Sequence, residues 1–456
     1  MILEDYENST PDERLKWLDS MKMTVGLNYF GGKSQIGKYI NNHICNMAVK
    51  MKNDNRRADI FIDAFTGGGK IALSVPYGWY DTIVMNDLNY GVYSFYKYCK
   101  DDYVALIKMI DKLADVMCED TFHLFAYLRN FGEYSDDYKN LGIGNEEKPP
   151  EEYVVNDLAA AAMTYWVTAS SYNGISDPIQ ANYSLDIKKD INDKIVNELR
   201  NNSEKKKLIK DKQTEIKAIE KVKKRAHKRI PELHRLMHRK NIKIENLDYR
   251  ELIKKYNGLP YKTLDGVERT PEKKYQNKNK LWYFDPPYHP YTLADGEDAP
   301  YNDTFTVAMS EEMIDIIAGK KEEEYGALEY FIKSDYDTQQ ALEKAKEYRL
   351  WYKKEYKKWE EKGKPEGEGP KKNKLFIKII NLEYGEDAWD GDEDLNTKKG
   401  TGIVSDVFKA LEVEPFTKIC LGGFDKGTTE EVDGERKKTE GYEYIWCRGL
   451  PSIEKK

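Results

Sequence analysis

The sequence predicts an α/β fold of the Rossmann-like type, an open and mainly parallel sheet interrupted by a mainly helical insertion. Three observations predict it. Residues 58–76, ADIFIDAFTGGGKIALSVP, read in succession as a buried strand, a glycine turn and the start of a helix. Residues 82–89, TIVMNDLN, supply a second apolar strand ending in Asn86 and Asp87, so the alternation repeats. Strand-like runs then return from residue 281 onward, after a long helical stretch.

Taken in order, residues 1–22 are polar and read as a helical or loose leader, and NYFGGKSQIGKYI at 28–40 as a loop followed by a helix. A strand is expected at 60–62 and a helix from 70 to 75. Residues 90–169 are mainly helical around an acidic, proline-bearing loop at 132–152. Residues 204–240 carry 15 Lys or Arg against 5 Asp or Glu. Within them Ile209, Ile216, Ile219, Val222, Ala226, Ile230, Leu233 and Met237 recur at helical spacing, which puts an apolar stripe on one side and cations on the other. Such a segment is either a solvated helix packed by its stripe or one whose basic face follows phosphates. KIENLDYRELI at 243–253 resumes the α/β pattern, followed by a polar loop at 260–280 and strands expected at 281–288, 327–334, 375–384, 416–424 and 442–449. The second half of 345–374 reads as an exposed charged hairpin or linker.

With 456 residues the chain exceeds one simple domain. The expected division is a catalytic body at 24–90 and 241–456, a helical insertion at 91–240 that includes the basic segment 204–240, and an exposed charged insertion at 345–374. Net charge is −7, so binding of nucleic acid would need a locally basic face. Five cysteines without a C-x-x-C pair favour a reducing compartment and no structural metal. Neither a basic-apolar leader nor a run of about 18 apolar residues is present, so no signal peptide or membrane span is expected and the location expected is cytoplasmic.

Two motifs carry chemistry. Phe65-Thr66-Gly67-Gly68-Gly69 lies between strand and helix, where glycines let an adenosyl group approach the backbone. Asp87 follows Asp63 by 24 residues, an offset at which an acid can accept from ribose hydroxyls. Gly31-Gly32-Lys33-Ser34 looks like half of a phosphate-binding loop, but the pattern needs glycine at the position of Leu27, which argues against nucleotide hydrolysis. Asp285-Pro286-Pro287-Tyr288 follows the apolar run 281–284 and sits where open sheets bind ligands. Two prolines stiffen the turn and leave carbonyls free to accept. The Asp285 carboxylate and the Pro286 carbonyl can each accept one hydrogen of an exocyclic amine while the Tyr288 ring stacks on the base, as an extruded base requires.

NYFGGK at 28–33, DAFTGGG at 63–69, NDLN at 86–89, LDYREL at 247–252 and DPPY at 285–288 together resemble the Dam-like, D12-class, α-type family of N6-adenine DNA methyltransferases. The resemblance implies a Rossmann-like S-adenosylmethionine-dependent methyltransferase fold with a helical target-recognition insertion. It implies that Tyr29, Gly31 and Lys33 close over S-adenosylmethionine, and that Asp63, Phe65, Gly67 and Gly69 form its wall. It further implies that Asp87 takes the ribose, that Asp248 and Tyr249 flank the cofactor adenine, and that Asp285, Pro286, Pro287 and Tyr288 hold the target. Double-stranded DNA is then the expected partner, with Lys221, Lys223, Lys224, Arg225, Lys228 and Arg229 as candidate phosphate contacts. A separate restriction endonuclease is a further candidate partner, and the chain is expected to act as a monomer or dimer. Two other readings stay open at this point: N4-cytosine methylation, which attacks a similar amine although Asp285 favours adenine, and a non-catalytic DNA-binding protein on the same scaffold.

Overall fold

The computed structural model describes residues 2–20, 23–24, 26–29, 33, 36–129, 156–171, 183, 204–287, 305–335, 338–364, 369–370, 372, 374–385, 388–390, 395, 408–432 and 435–448. They fall into two compact units, Met1–Leu281 with Pro300–Thr304, and Trp282–Ala299 with Phe305–Lys456.

The first unit opens with helices α1 (Leu3–Asn8), α2 (Pro11–Ser20) and α3 (Gly37–Asn53). Strand β1 (Ile60–Asp63) runs through a glycine turn into the short helix α4 (Lys70–Ser74), and β2 (Thr82–Asn86) follows. Helices α5 (Tyr90–Asp101), α6 (Tyr103–Ala114), α7 (Glu119–Leu128), α8 (Asp157–Ser170) and α9 (Glu204–Arg239) come next, then β3 (Ile242–Glu245) and α10 (Tyr249–Asn257). The strands lie in the order β3-β2-β1, all parallel, with Ile62 beside Val84 and Val84 beside Lys243. All four residues of β1 are buried, as a strand of a parallel sheet covered on both faces must be. Helix starts are capped by side chains: Asn89, Asp102, Asn156 and Asp248 each accept a backbone N–H of the first turn.

The second unit takes most of β6 (Lys280–Phe284), with helices α11 (Val307–Ile317) and α12 (Glu322–Tyr325), strand β7 (Phe331–Asp335), helices α13 (Thr338–Glu361) and α14 (Lys374–Tyr384), and the long strands β8 (Phe416–Val432) and β9 (Glu435–Arg448). Its strands run β6-β7-β9-β8. The first pair is parallel and the other two are antiparallel. Parallel strands alternating with helices bear out the Rossmann-like α/β expectation, and the leader, the basic segment and the early strands form where expected.

Four readings need correction. LFIKIINLEY is a helix, α14, and not a strand. Its β-branched residues suggest a strand, but the buried set Ile379, Ile380, Glu383 and Tyr384 follows helical spacing and packs the element against α13. The polar loop at 260–280 contains a small antiparallel hairpin, β4 (Tyr261–Lys262) with β5 (Glu268–Arg269), closed by Gly266 at φ +74°. Strand β7 begins at Phe331, four residues later than expected. Ile216, assigned to the apolar stripe, is 56% exposed. All five cysteines are free, and among the described residues no helix is long and apolar enough to cross a membrane.

On β7, Lys333 Nζ lies 2.6 Å from Asp335 Oδ2 with both side chains fully enclosed, and the ammonium faces the Phe408 and Trp446 rings. A buried ion pair costs desolvation on both sides, and removing one partner exposes that cost. Asp335→Ala should therefore lose about 3–5 kcal/mol of stability in denaturant titration. The volume-filling pair Lys333→Met with Asp335→Leu should recover most of it; a single variant as stable as the parent would contradict this account of β7.

Candidate active site

The carboxyl ends of β1, β2 and β3 in the first unit are tied together by one side chain. Asn86 Nδ2 donates to the carbonyls of Ala64 and Leu247 at 3.0 and 2.9 Å, while its Oδ1 accepts the Leu247 N–H at 3.0 Å. Its own carbonyl accepts the Thr66 N–H at 2.8 Å. Asn246 adds bonds from Nδ2 to the Asp87 and Leu88 carbonyls at 2.7 and 2.9 Å. Each strand end is thus fixed relative to the other two, as a site shared among three loops requires.

On this base the glycine turn is shaped by Asp87. Asp87 Oδ2 accepts the Gly67 N–H at 2.7 Å and Oδ1 accepts the Asn89 N–H at 2.9 Å. Gly67 and Gly69 sit at φ +47° and +71°, a region costly for any residue with a Cβ. A Cβ on Gly67 would approach the Tyr29 ring to 3.2 Å, and one on Gly68 the Leu27 carbonyl to 3.0 Å, so the segment carrying Tyr29 lies directly on the turn. Burial pushes the Asp87 carboxyl up to about 6, against the pull of the Gly67 and Asn89 N–H groups and of the Arg129 guanidinium.

Asp63 is buried at the end of β1. The Phe65 and Tyr249 rings meet at 5.7 Å between centroids. Asp248 is buried, caps α10 and is clasped by Arg250, whose Nε lies at 2.7 Å. Lys33 is buried just before α3, and its carbonyl accepts the Gly37 N–H at 2.8 Å. Gly31 and Tyr288 lie outside the described residues. In the second unit Asp285 and Pro287 are half-buried and Pro286 is buried, all three directly at the carboxyl end of β6.

A model of the family described as D12 class N6 adenine-specific DNA methyltransferase matches residues 29–364. The chain belongs to that family. It is therefore an adenine-N6 DNA methyltransferase, an enzyme whose substrate is DNA and whose family uses S-adenosylmethionine. Adenine N6, rather than cytosine N4, is the family's acceptor, and the non-catalytic reading falls with it. No curated protein matches the chain.

The methyltransferase's basic helix α9 is packed by its apolar stripe, and its three histidines bond to neighbouring helices. Val222, Ala226, Ile230, Leu233 and Met237 are buried. His227 bonds Asp111 on α6 at 2.9 Å, and His234 and His238 reach the Cys99 and Lys100 carbonyls at the end of α5 at 3.2 and 2.9 Å. That leaves Lys221, Lys224, Lys228 and Arg229 exposed, with Arg225 and Lys223 half-buried and Lys223 paired with Glu220 at 3.1 Å.

Sequence reasoning missed Tyr96 and Arg129. Arg129 is fully buried, with Nη1 3.3 Å from Asn89 Oδ1. Nothing in a helical sequence distinguishes such an arginine from a surface one. Tyr96 lies seven residues after the capping Asn89 and so on the same helix face, a weak signal that α5 turns towards the turn after β1.

Asp87 therefore couples folding to proton uptake. Its folded value of about 6 stands above its ordinary 3.8, so the folded protein takes up this proton before the unfolded chain does. Between pH 7 and 4 the stability of the parent should accordingly rise relative to that of Asp87→Asn as pH falls. Denaturant titrations of both proteins at pH 7 and 5 would check this, and parallel values would refute it.

Proposed function

We propose that this methyltransferase binds S-adenosylmethionine on the glycine turn of the first unit and presents Asp285, Pro286, Pro287 and Tyr288 to an adenine extruded from double-stranded DNA. The observation that carries the reading is the Asp87 contact with Gly67. An ionised carboxylate has about four acceptor positions, and two here are taken by backbone N–H groups, which leaves capacity for the two ribose hydroxyls. The Tyr29 segment is seated on the Gly67 and Gly68 backbone, where a Cβ would meet the Tyr29 ring at 3.2 Å and the Leu27 carbonyl at 3.0 Å, so glycine there lets the two segments approach each other closely. Tyr29, Gly31 and Lys33 would close over the cofactor, Asp63, Phe65, Gly67 and Gly69 would line it, and Asp248 and Tyr249 would flank its adenine. S-adenosylmethionine, when bound, supplies an electrophilic sulfonium methyl.

For the target, the Asp285 carboxylate accepts one N6 hydrogen and the Pro286 carbonyl the other, which draws the N6 lone pair out of conjugation and makes the nitrogen more nucleophilic. Tyr288 stacks on the purine. After transfer, Asp285 or water receives the proton that N6 sheds. Extrusion costs a few kcal/mol, which binding to the duplex backbone offsets. Residues 91–240 would serve as the target-recognition region. The exposed cations Lys221, Lys224, Lys228 and Arg229 of α9, with Lys223 and Arg225 beside them, would meet phosphates. The enzyme would act in the cytoplasm.

Asp285→Ala should lower turnover by on the order of 10²–10³-fold or more and leave S-adenosylmethionine affinity within about threefold, read by labelled-methyl transfer and calorimetry. Normal turnover by that variant would remove Asp285 from the chemistry. Reversing Lys221, Lys224 and Lys228 to Glu should flatten the log–log dependence of DNA affinity on salt by about 0.9 for each phosphate that is no longer neutralised. An unchanged slope would return α9 to a purely structural role.

A further inference from the structure

The Tyr96 hydroxyl is buried at the point where the Gly26–Tyr29 segment meets the glycine turn. The residue is 1% exposed and projects from α5. Its Oη accepts the Leu27 N–H at 3.4 Å and donates to the Gly67 carbonyl at 3.3 Å. The Gly26 N–H donates to the Gly68 carbonyl at 3.2 Å, closing the same junction. A Cβ at Gly26 would lie 2.3 Å from the Tyr96 oxygen, and one at Gly69 2.4 Å from it, so the hydroxyl occupies the space both glycines leave open. Gly67 consequently has both of its backbone polar groups held by side chains, its N–H by Asp87 and its carbonyl by Tyr96.

We infer that the Tyr96 hydroxyl is a positioning group for cofactor binding: by holding the Gly67 carbonyl and the Leu27 N–H at once, it keeps the turn and the Tyr29 segment in the shape that receives S-adenosylmethionine. The inference rests on the reading of the glycine turn as the cofactor site. Tyr96 does not need to touch the reacting atoms. Phenylalanine at this position keeps the ring and the packing of α5 and removes only the atom that bridges the two segments. The Gly67 carbonyl and the Leu27 N–H then lose a buried partner, and a group deprived in that way can be worth about tenfold or more in affinity.

The test is Tyr96→Phe in the full chain, assayed for methyl transfer to duplex DNA with each substrate varied in turn and for S-adenosylmethionine binding by calorimetry. The expected result is a rise in cofactor Kd and KM of roughly 5- to 30-fold, with kcat at saturating cofactor and KM for DNA within about twofold of the parent. A merely structural role would lower kcat or thermal stability without that split. If the parent binds cofactor and Tyr96→Phe binds it equally well, the inference is overturned. If the parent itself binds none, the cofactor reading fails and takes the inference with it. Hydrogen exchange on the unaltered protein supplies an independent arm. Saturating S-adenosylmethionine should slow exchange in peptides spanning 26–29 and 67–69 together, and protection of the turn without the 26–29 segment would also overturn the inference.

Discussion

The bond from the Gly67 N–H to the Asp87 carboxylate joins the turn after β1 to the end of β2. It is charge-assisted and short, and it lies against the buried Asn86, which links the ends of all three parallel strands. A glycine turn alone is a floppy connection, because glycine gives up more conformational freedom on folding than any other residue. Here the freedom is removed from outside the turn, by Asp87 on one side and Tyr96 on the other. The same carboxylate that shapes the turn accepts two backbone N–H groups and retains acceptor capacity beyond them.

The second unit handles its polar groups differently. β6 and β7 are paired so that Phe284 stands beside Lys333, and the Asp285–Pro287 turn therefore leaves the sheet alongside Ser334 and Asp335. Lys333 and Asp335 neutralise each other within the fold, and the Ser334 hydroxyl donates to the Glu443 carboxylate on β9. Polar groups enclosed in this way are costly unless paired, and the pairing found here lets β7 stay fully buried next to a turn that needs a firm base.

An acidic protein that works on a polyanion has to separate its charges in space. In α9 the apolar stripe is buried and three histidines bond to α5 and α6, which leaves Lys221, Lys224, Lys228 and Arg229 exposed. At the end of this helix Lys240 turns back instead, donating to the Leu73 carbonyl at 2.6 Å and to that of Val75, and burial lowers its pKa to about 8. The basic helix is thereby anchored to the helix that follows the glycine turn.

The sequence by itself determined the α/β class, the strand-turn-helix at 58–76, the acid at Asp87, the basic amphipathic helix and the family, because each is written in local order: apolar runs, glycines and charges at short spacing. It did not determine that LFIKIINLEY is helical, since β-branched residues fit a buried strand or a buried helix and only the partner, α13, selects between them. Nor did it reveal Tyr96 and Arg129. Their meaning lies in burial and in hydrogen bonds across tens of residues, from Tyr96 back to Leu27 and Gly67 and from Arg129 back to Asn89. Tertiary structure decided those roles because a hydroxyl or a guanidinium acquires a specific partner only when the fold takes water away from it.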